Sequence, residues 1–325
     1  MTKSDASLKG KIKTLAKRSN LKPQELLQMY LFEHLLMRLE RSSYADTFIL
    51  KGGLLISSMT GVAQRTTMDM DTTVIGMDMD EETVSRAISA ICSVDAGDDM
   101  DYSFERIEPI REDDEYANWR AHLRVRYGKI DAPIKIDITT GDEIVPGRVE
   151  YRYPLMFEEG TIRVLSYPLE TVLAEKLETV ISRGIANTRG RDYYDIHMLL
   201  RAKRDEIDVD SLHDAVTATA EKRGSITKMA DYESVLSEVR KSSIMHLELV
   251  HFRLAVCVGP RLRRCPGFDS RACKALEVGE IRIRKDMRGC VELEGHFHSA
   301  LGCLGGELCS CRDGIALRIG QGLAG

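Results

Sequence analysis

Apolar residues recur along this chain at two periods, and the change from one to the other separates helices from strands. Leu27, Leu31, Leu35 and Leu39 stand four residues apart, with Leu26 and Tyr30 along one edge of the same stripe, which is the spacing of one helical face. Pro23 suits the first turn of that helix, where its missing N–H costs nothing, so the pattern predicts a helix over residues 23–41. A shorter, Lys-rich helix over residues 4–18 precedes it and ends near Asn20, and residues 80–93 carry a further amphipathic pattern. Tyr30, inside the leucine stripe, reads as a packing residue.

Other segments alternate with period two. Ile134, Ile136 and Ile138 form one face, and Lys135, Asp137 and Thr139 the other, as in a half-buried strand. Residues 47–50, 101–107, 121–127, 134–139, 147–153 and 161–167 read as strands on these grounds. Pro168 then opens a helix whose stripe is Leu169, Val172, Leu173, Leu177 and Val180. The expected fold class is α+β: a mixed sheet flanked by helices, with a helical C-terminal part. The expected organisation is packing helices over residues 1–45, a sheet-bearing core over 46–166, a helical domain over 167–246 and an atypical tail over 247–325.

The tail stands apart because its composition changes abruptly. Only Cys92 lies in the first 256 residues, whereas Cys257, Cys265, Cys273, Cys290, Cys303, Cys309 and Cys311 crowd the remainder. Their spacings lack the paired C-x₂-C steps of zinc modules, so the Cys-, Gly- and Arg-rich segment reads as frameshifted or disordered. Elsewhere, 43% hydrophobic and 30% charged residues describe an ordinary globular chain. A polar start and the lack of a long apolar run argue against secretion or membrane spanning and for the cytoplasm. A net charge of −5 does not advertise nucleic-acid binding as a whole, although local basic patches remain compatible with an RNA substrate.

Candidate chemistry gathers in three places. Lys51-Gly52-Gly53 follows a predicted strand and opens a predicted helix carrying Leu54, Leu55, Ile56 and Met59; glycines there let backbone N–H groups approach phosphate, with Lys51 adding charge. The Asp69-x-Asp71 spacing puts two carboxylates on one strand face, opposite Met68, Met70 and Thr72. Such a pair suits a hard divalent cation such as Mg²⁺, and alternation aims Asp137 so that it could join as a third acid. Lys176 lies inside an apolar stripe, where it is either paired to a core carboxylate or aimed at a triphosphate. Asp192 and Asp195, one helical turn apart, either cap a helix or bind Arg189 or Arg191, with Tyr193 and Tyr194 as packing residues.

Five motifs occur in order: Phe48-Ile-Leu-Lys-Gly-Gly53, Arg65-x-Thr67-x-Asp69-x-Asp71, Ile136-Asp-Ile-x-x-Gly-Asp142, Tyr167-Pro-x-Glu-x-x-x-Ala-Glu-Lys176 and Asn187-x-Arg-x-x-Asp-Tyr-Tyr-Asp195. With them the chain, from about residue 15 to 246, resembles the AbiEii/AbiGii nucleotidyltransferase toxins of type IV toxin–antitoxin systems and their MenT-like relatives. The resemblance implies a polymerase-β-like nucleotidyltransferase fold, two Mg²⁺ ions, a nucleoside triphosphate substrate, an RNA acceptor such as a tRNA 3′ end, and a cognate antitoxin. It also implies roles: Asp69, Asp71 and Asp137 at the metals, Gly52 and Gly53 at the phosphates, Lys176 and Asp192 at the nucleotide. A metal-dependent nuclease could use the same acids without the Lys51-Gly-Gly turn, and an inactive partner-binding protein would need none of them.

Overall fold

The computed structural model describes residues 4–110, 118–187 and 189–241, together with 281–285 and 291–295. Helix α1 (Asp5–Ser19) is capped by the Ser4 hydroxyl, which accepts the Ser7 N–H, and it ends at Asn20 in a left-handed conformation. Helix α2 (Pro23–Arg41) begins at its proline and buries Leu26, Leu31, Leu35 and Leu39 together with Tyr30, with Leu27 half-buried at the edge. Strand β1 (Phe48–Lys51) leads directly into α3 (Gly52–Thr60). Strand β2 (Met70–Val74) and α4 (Glu81–Cys92), capped by Asp80, come next. Three strands follow: β3 (Asp101–Pro109), β4 (Trp119–Tyr127) and β5 (Ile130–Thr139). Strands β6 (Val149–Pro154) and β7 (Thr161–Ser166) complete one seven-stranded sheet of order β3-β4-β5-β2-β1-β7-β6.

The sheet is mixed. Pairs β2/β5 and β1/β7 are parallel, whereas β1/β2, β4/β5, β3/β4 and β6/β7 are antiparallel. Helices α5 (Leu169–Arg183), α6 (Gly190–Lys203), α7 (Val209–Lys222), α8 (Ile226–Ala230) and α9 (Tyr232–Lys241) form the helical part. The expected strand over 147–153 begins at Val149, and the one over 134–139 starts earlier, at Ile130. Pro133 is tolerated in β5 because β2 pairs only with Ile136 to Thr139, so no ladder partner on that side needs its N–H.

One apolar core runs through the molecule. It buries Leu8 of α1, Phe32 of α2, Phe48 of β1 and Ile136 of β5 with Leu173 of α5, Leu199 of α6 and Leu212 of α7. The residues assigned from sequence to separate core and helical parts thus share apolar packing. A smaller cluster of Ile181, Ala220 and Met229 lies among α5, α7 and α8. In the tail, β8 (Ile281–Lys285) and β9 (Val291–Gly295) pair antiparallel; the rest of residues 247–325, on which the frameshift expectation falls, lies outside the described residues. Among the described residues no helix is long and apolar enough to cross a membrane.

Candidate active site

Strand register assembles a row of charge across the middle of the sheet. Lys51 of β1 stands opposite Asp71 of β2, Asp71 lies beside Asp137 of β5, and Asp137 stands opposite Arg120 of β4. Residues in register on neighbouring strands have their side chains within a few ångströms on the same face. Burial raises the Asp71 carboxyl above the ordinary carboxylate range; Asp137 and Asp69 push it the same way, while Lys51 and the Gly53 N–H oppose them. Asp71 is half-buried and Asp69 exposed. Asp69 precedes the strand rather than lying in it, because the Thr67 hydroxyl accepts its N–H at 3.3 Å and donates to its carbonyl at 3.1 Å. That local turn takes Met68 and Asp69 out of the ladder, and Met68 is left exposed.

The glycine turn is shaped by the acid rather than open beside it. Gly52 has a φ of +65°, and a Cβ there would stand 2.1 Å from Asp71 Oδ2. Only glycine takes that backbone at no steric cost and leaves the carboxylate room. The Gly53 N–H donates to Asp71 Oδ2 at 3.4 Å, and a Cβ on Gly53 would press on Thr67 and Arg65. Lys51 turns aside: its ammonium donates to Asp142 Oδ2 at 2.5 Å and to Thr139 Oγ1 at 2.7 Å. Asp142 also accepts the Tyr167 hydroxyl at 2.7 Å. Burial alone would raise the Asp142 carboxyl, but Lys51 and these hydrogen bonds hold it below its ordinary value.

Asp137 is gripped from the far side. Arg120 Nε donates to Oδ1 at 2.7 Å and Nη2 to Oδ2 at 2.8 Å, a bidentate fork that occupies both carboxylate oxygens. The Arg120 guanidinium pKa is raised by that hydrogen bonding and, beyond it, by the charges of Asp137, Asp69 and Glu108. Among the described residues no group of three or more His, Cys, Asp or Glu side chains is close enough to hold a metal ion. Of the three acids expected to form a cage, register puts Asp71 and Asp137 side by side, while Asp69 lies before the strand, and the three do not close around a common point.

The second half of the site comes from α5 and α6. Lys176 donates to Asp192 Oδ1 at 2.7 Å and lies 3.1 Å from Asp195 Oδ2. Asp195 also accepts Arg65 Nε at 2.8 Å, and both are almost fully buried. Arg189 Nε lies 3.5 Å from Asp192 Oδ2. Of the two readings for Lys176, the structure has the ammonium on carboxylates; Asp192 meets Arg189 as expected, whereas Asp195 pairs with Arg65 and Lys176 rather than with Arg189 or Arg191. Arg191 adds a cation here; partial desolvation of its guanidinium and the neighbouring Arg65 lower its pKa, against the pull of Asp195 and Asp69. Sequence reasoning gave Arg120 no role, quoted Asp142 only as a motif end, and did not foresee the link from Arg65 to Asp195. All three depend on long-range register or packing.

A family model described as nucleotidyl transferase AbiEii toxin, type IV TA system, matches residues 34–296. The match starts later than the motif reading from residue 15 and runs beyond residue 246 into the tail. Among solved structures, the chain is similar to JHP933 from Helicobacter pylori at 17% identity and a TM-score of 0.39, over 79% of this chain and 100% of that one. It is also similar to an antigenic nucleotidyltransferase-like protein from Paracoccidioides brasiliensis at 15% identity and a TM-score of 0.35, over 65% of this chain and 92% of that one. A third likeness is to the antibiotic-resistance factor ANT(2'')-Ia, at 12% identity and a TM-score of 0.36, over 64% and 99% of the respective chains. No curated protein matches.

Proposed function

The chain belongs to the AbiEii nucleotidyltransferase toxin family, and from that premise we propose that it moves a nucleoside monophosphate from an NTP to an RNA acceptor such as a tRNA 3′ end. In this reading it is the toxin of a type IV pair, acts in the cytoplasm during phage defence, and is held in check by an antitoxin. The observation that carries the reading is the register of Asp71 beside Asp137, with Asp69 close enough to raise the Asp71 carboxyl further. Like charges on one face are unfavourable on their own, and an oxygen-only donor set fits Mg²⁺.

Asp69 and Asp71 would hold that ion, with Asp137 next in register to complete the set for a second. When bound, Mg²⁺ supplies charge for the triphosphate and for the departing pyrophosphate. The protein's own residues do the rest. Gly52 leaves room for Asp71, and Lys51, braced by Asp142 and Thr139, fixes the turn before α3. Lys176, already paired with Asp192 at 2.7 Å, would contact the nucleotide, with Arg191 adding a guanidinium from the same helix as Asp192.

Transfer of label from each α-labelled NTP to total tRNA, with Mg²⁺ present, tests the reading directly. Asp71→Asn is expected to fold and to lose about 100-fold or more of the transfer, since the group it removes supports several kcal/mol of charge stabilisation. RNA cleavage without any triphosphate would point to a nuclease instead, and full activity in the variant would end the assignment of Asp71.

A further inference from the structure

One face of α1 is charged in a way that the fold does not require. Leu8, Ile12 and Ala16 fill the buried side of the helix. The remaining surface carries Lys9, Lys11, Lys13, Lys17 and Arg18, with Lys22 just beyond, and no Asp or Glu occurs between Ala6 and Gln24. Lys9, Lys13 and Lys17 are exposed and four residues apart, where like charges on a helix each cost a few tenths of a kcal/mol. A solvated helix face ordinarily mixes signs to gain i,i+4 pairs. Here the relief is slight: Lys9 meets Asp5 at 3.2 Å in the first turn, and Lys22, 83% exposed, lies 3.7 Å from Glu25. The rest of the chain is acidic enough to leave a net −5.

The position of this ridge ties it to the site. Its C-terminal end turns into α2 at Lys22, and Glu25 there accepts the Thr66 hydroxyl at 2.9 Å. Thr66 belongs to the loop that delivers Asp69 and Asp71. The ridge also lies outside residues 34–296, where the family match falls.

We propose that the exposed face of α1 is a track for the sugar–phosphate backbone of the acceptor RNA, leading its end toward the Asp69–Asp71 loop. A helix of 15 residues is about 22 Å long, enough to meet several successive phosphates. Phosphate binding needs rows of cations and no apolar anchor, whereas protein interfaces depend on buried aromatic or aliphatic anchors. Among the described residues the exposed large hydrophobic side chains, Met68, Ile75, Val149, Ile185, Val209 and Ile226, all lie elsewhere. That contrast favours RNA over an acidic protein as the occupant. The inference rests on the RNA-acceptor reading given above.

The test is filter binding of total tRNA across a salt series, for the full chain and for Lys9→Gln/Lys13→Gln/Lys17→Gln, with binding of a fluorescent NTP analogue and Tm as controls. The variant is expected to bind tRNA about tenfold or more weakly at low salt, with the slope of log K against log salt reduced by roughly two to three. NTP binding and Tm should stay unchanged. Equal tRNA affinity and slope in both proteins would remove the track and leave the acceptor reading standing. No tRNA binding by the unaltered protein at any salt would remove both. Competition by polyglutamate as strong as that by tRNA would overturn the track by reassigning the ridge to an acidic protein partner.

Discussion

At the scale of single residues, the site depends on contacts that leave no room for exchange. Gly52→Ala places a Cβ against Asp71 on a backbone with φ of +65°. The left-handed conformation alone costs about 1–2 kcal/mol for a residue with a Cβ, and the clash adds to it. The expected result is a lower urea midpoint together with lost transfer. Arg120→Gln works in the opposite direction: it frees both oxygens of Asp137 beside Asp71, so Mn²⁺ affinity should rise by about tenfold, near 1.4 kcal/mol. Titration calorimetry measures this directly, and the only tryptophan of the chain, Trp119, sits next to Arg120 as a fluorescent reporter. Unchanged Mn²⁺ affinity would mean that Arg120 does not compete for Asp137. The glycine turn, Asp71 and Asp137 could be read in the sequence because they follow local periodicity; Asp69, read as a strand residue, lies before the strand because of its Thr67 turn. Arg120 could not, since its partner is set by the pairing of two strands, and the Lys51 to Asp142 bond spans 91 positions.

At the scale of elements, α2 is fixed to the start of β3 by a buried charge. Arg38, 2% exposed, makes two hydrogen bonds of 2.7 Å to Asp98, another of 2.7 Å to the Met100 carbonyl, and stacks 4.1 Å from the Tyr102 ring centroid. His34 Nδ1 lies 2.6 Å from the same carboxylate. Burial would raise the Asp98 carboxyl, but Arg38 and His34 overcome it and hold the group well below its ordinary 3.8. A depressed carboxylate stabilises the fold above the unfolded-state value and loses that contribution as pH falls through the folded-state one. Acid unfolding should therefore steepen below about pH 4 in the unaltered protein, and Asp98→Ala should flatten that slope. The same change should cost about 3–5 kcal/mol at neutral pH, because Arg38 is left buried without its partner. Chemical denaturation at several pH values measures both effects. Helix and strand limits were largely legible in the sequence, Pro23–Arg41 included, because caps, a first-turn proline and alternation are local signals. Arg38 lies among the leucines of the α2 stripe, and nothing nearby in sequence announces Asp98 as its partner.

At the scale of the whole molecule, the sheet and the helical part are joined through charge as well as apolar packing. Arg65, from the loop before β2, meets Asp195 of α6, and Lys176 of α5 meets the same carboxylate. Arg65→Ala should cost about 3–5 kcal/mol by leaving Asp195 without one of its cations. Adding Asp195→Asn should recover part of that loss, since contacting groups do not combine additively. A double-mutant cycle in urea checks the coupling. The change from strands to helices after Ser166 reads from periodicity, yet the sequence cannot show that Leu199 and Leu212 pack in one core with Phe48.

Arg65 and Asp195 are 130 positions apart, and each is a buried charge whose counterpart lies in the other part of the chain. A crossover between two related genes anywhere in that interval would inherit one member of the pair from each parent. Recombinants that survive such a crossover should still carry an arginine at 65 and a carboxylate at 195, so exchanges that break this pairing are expected to be missing among them.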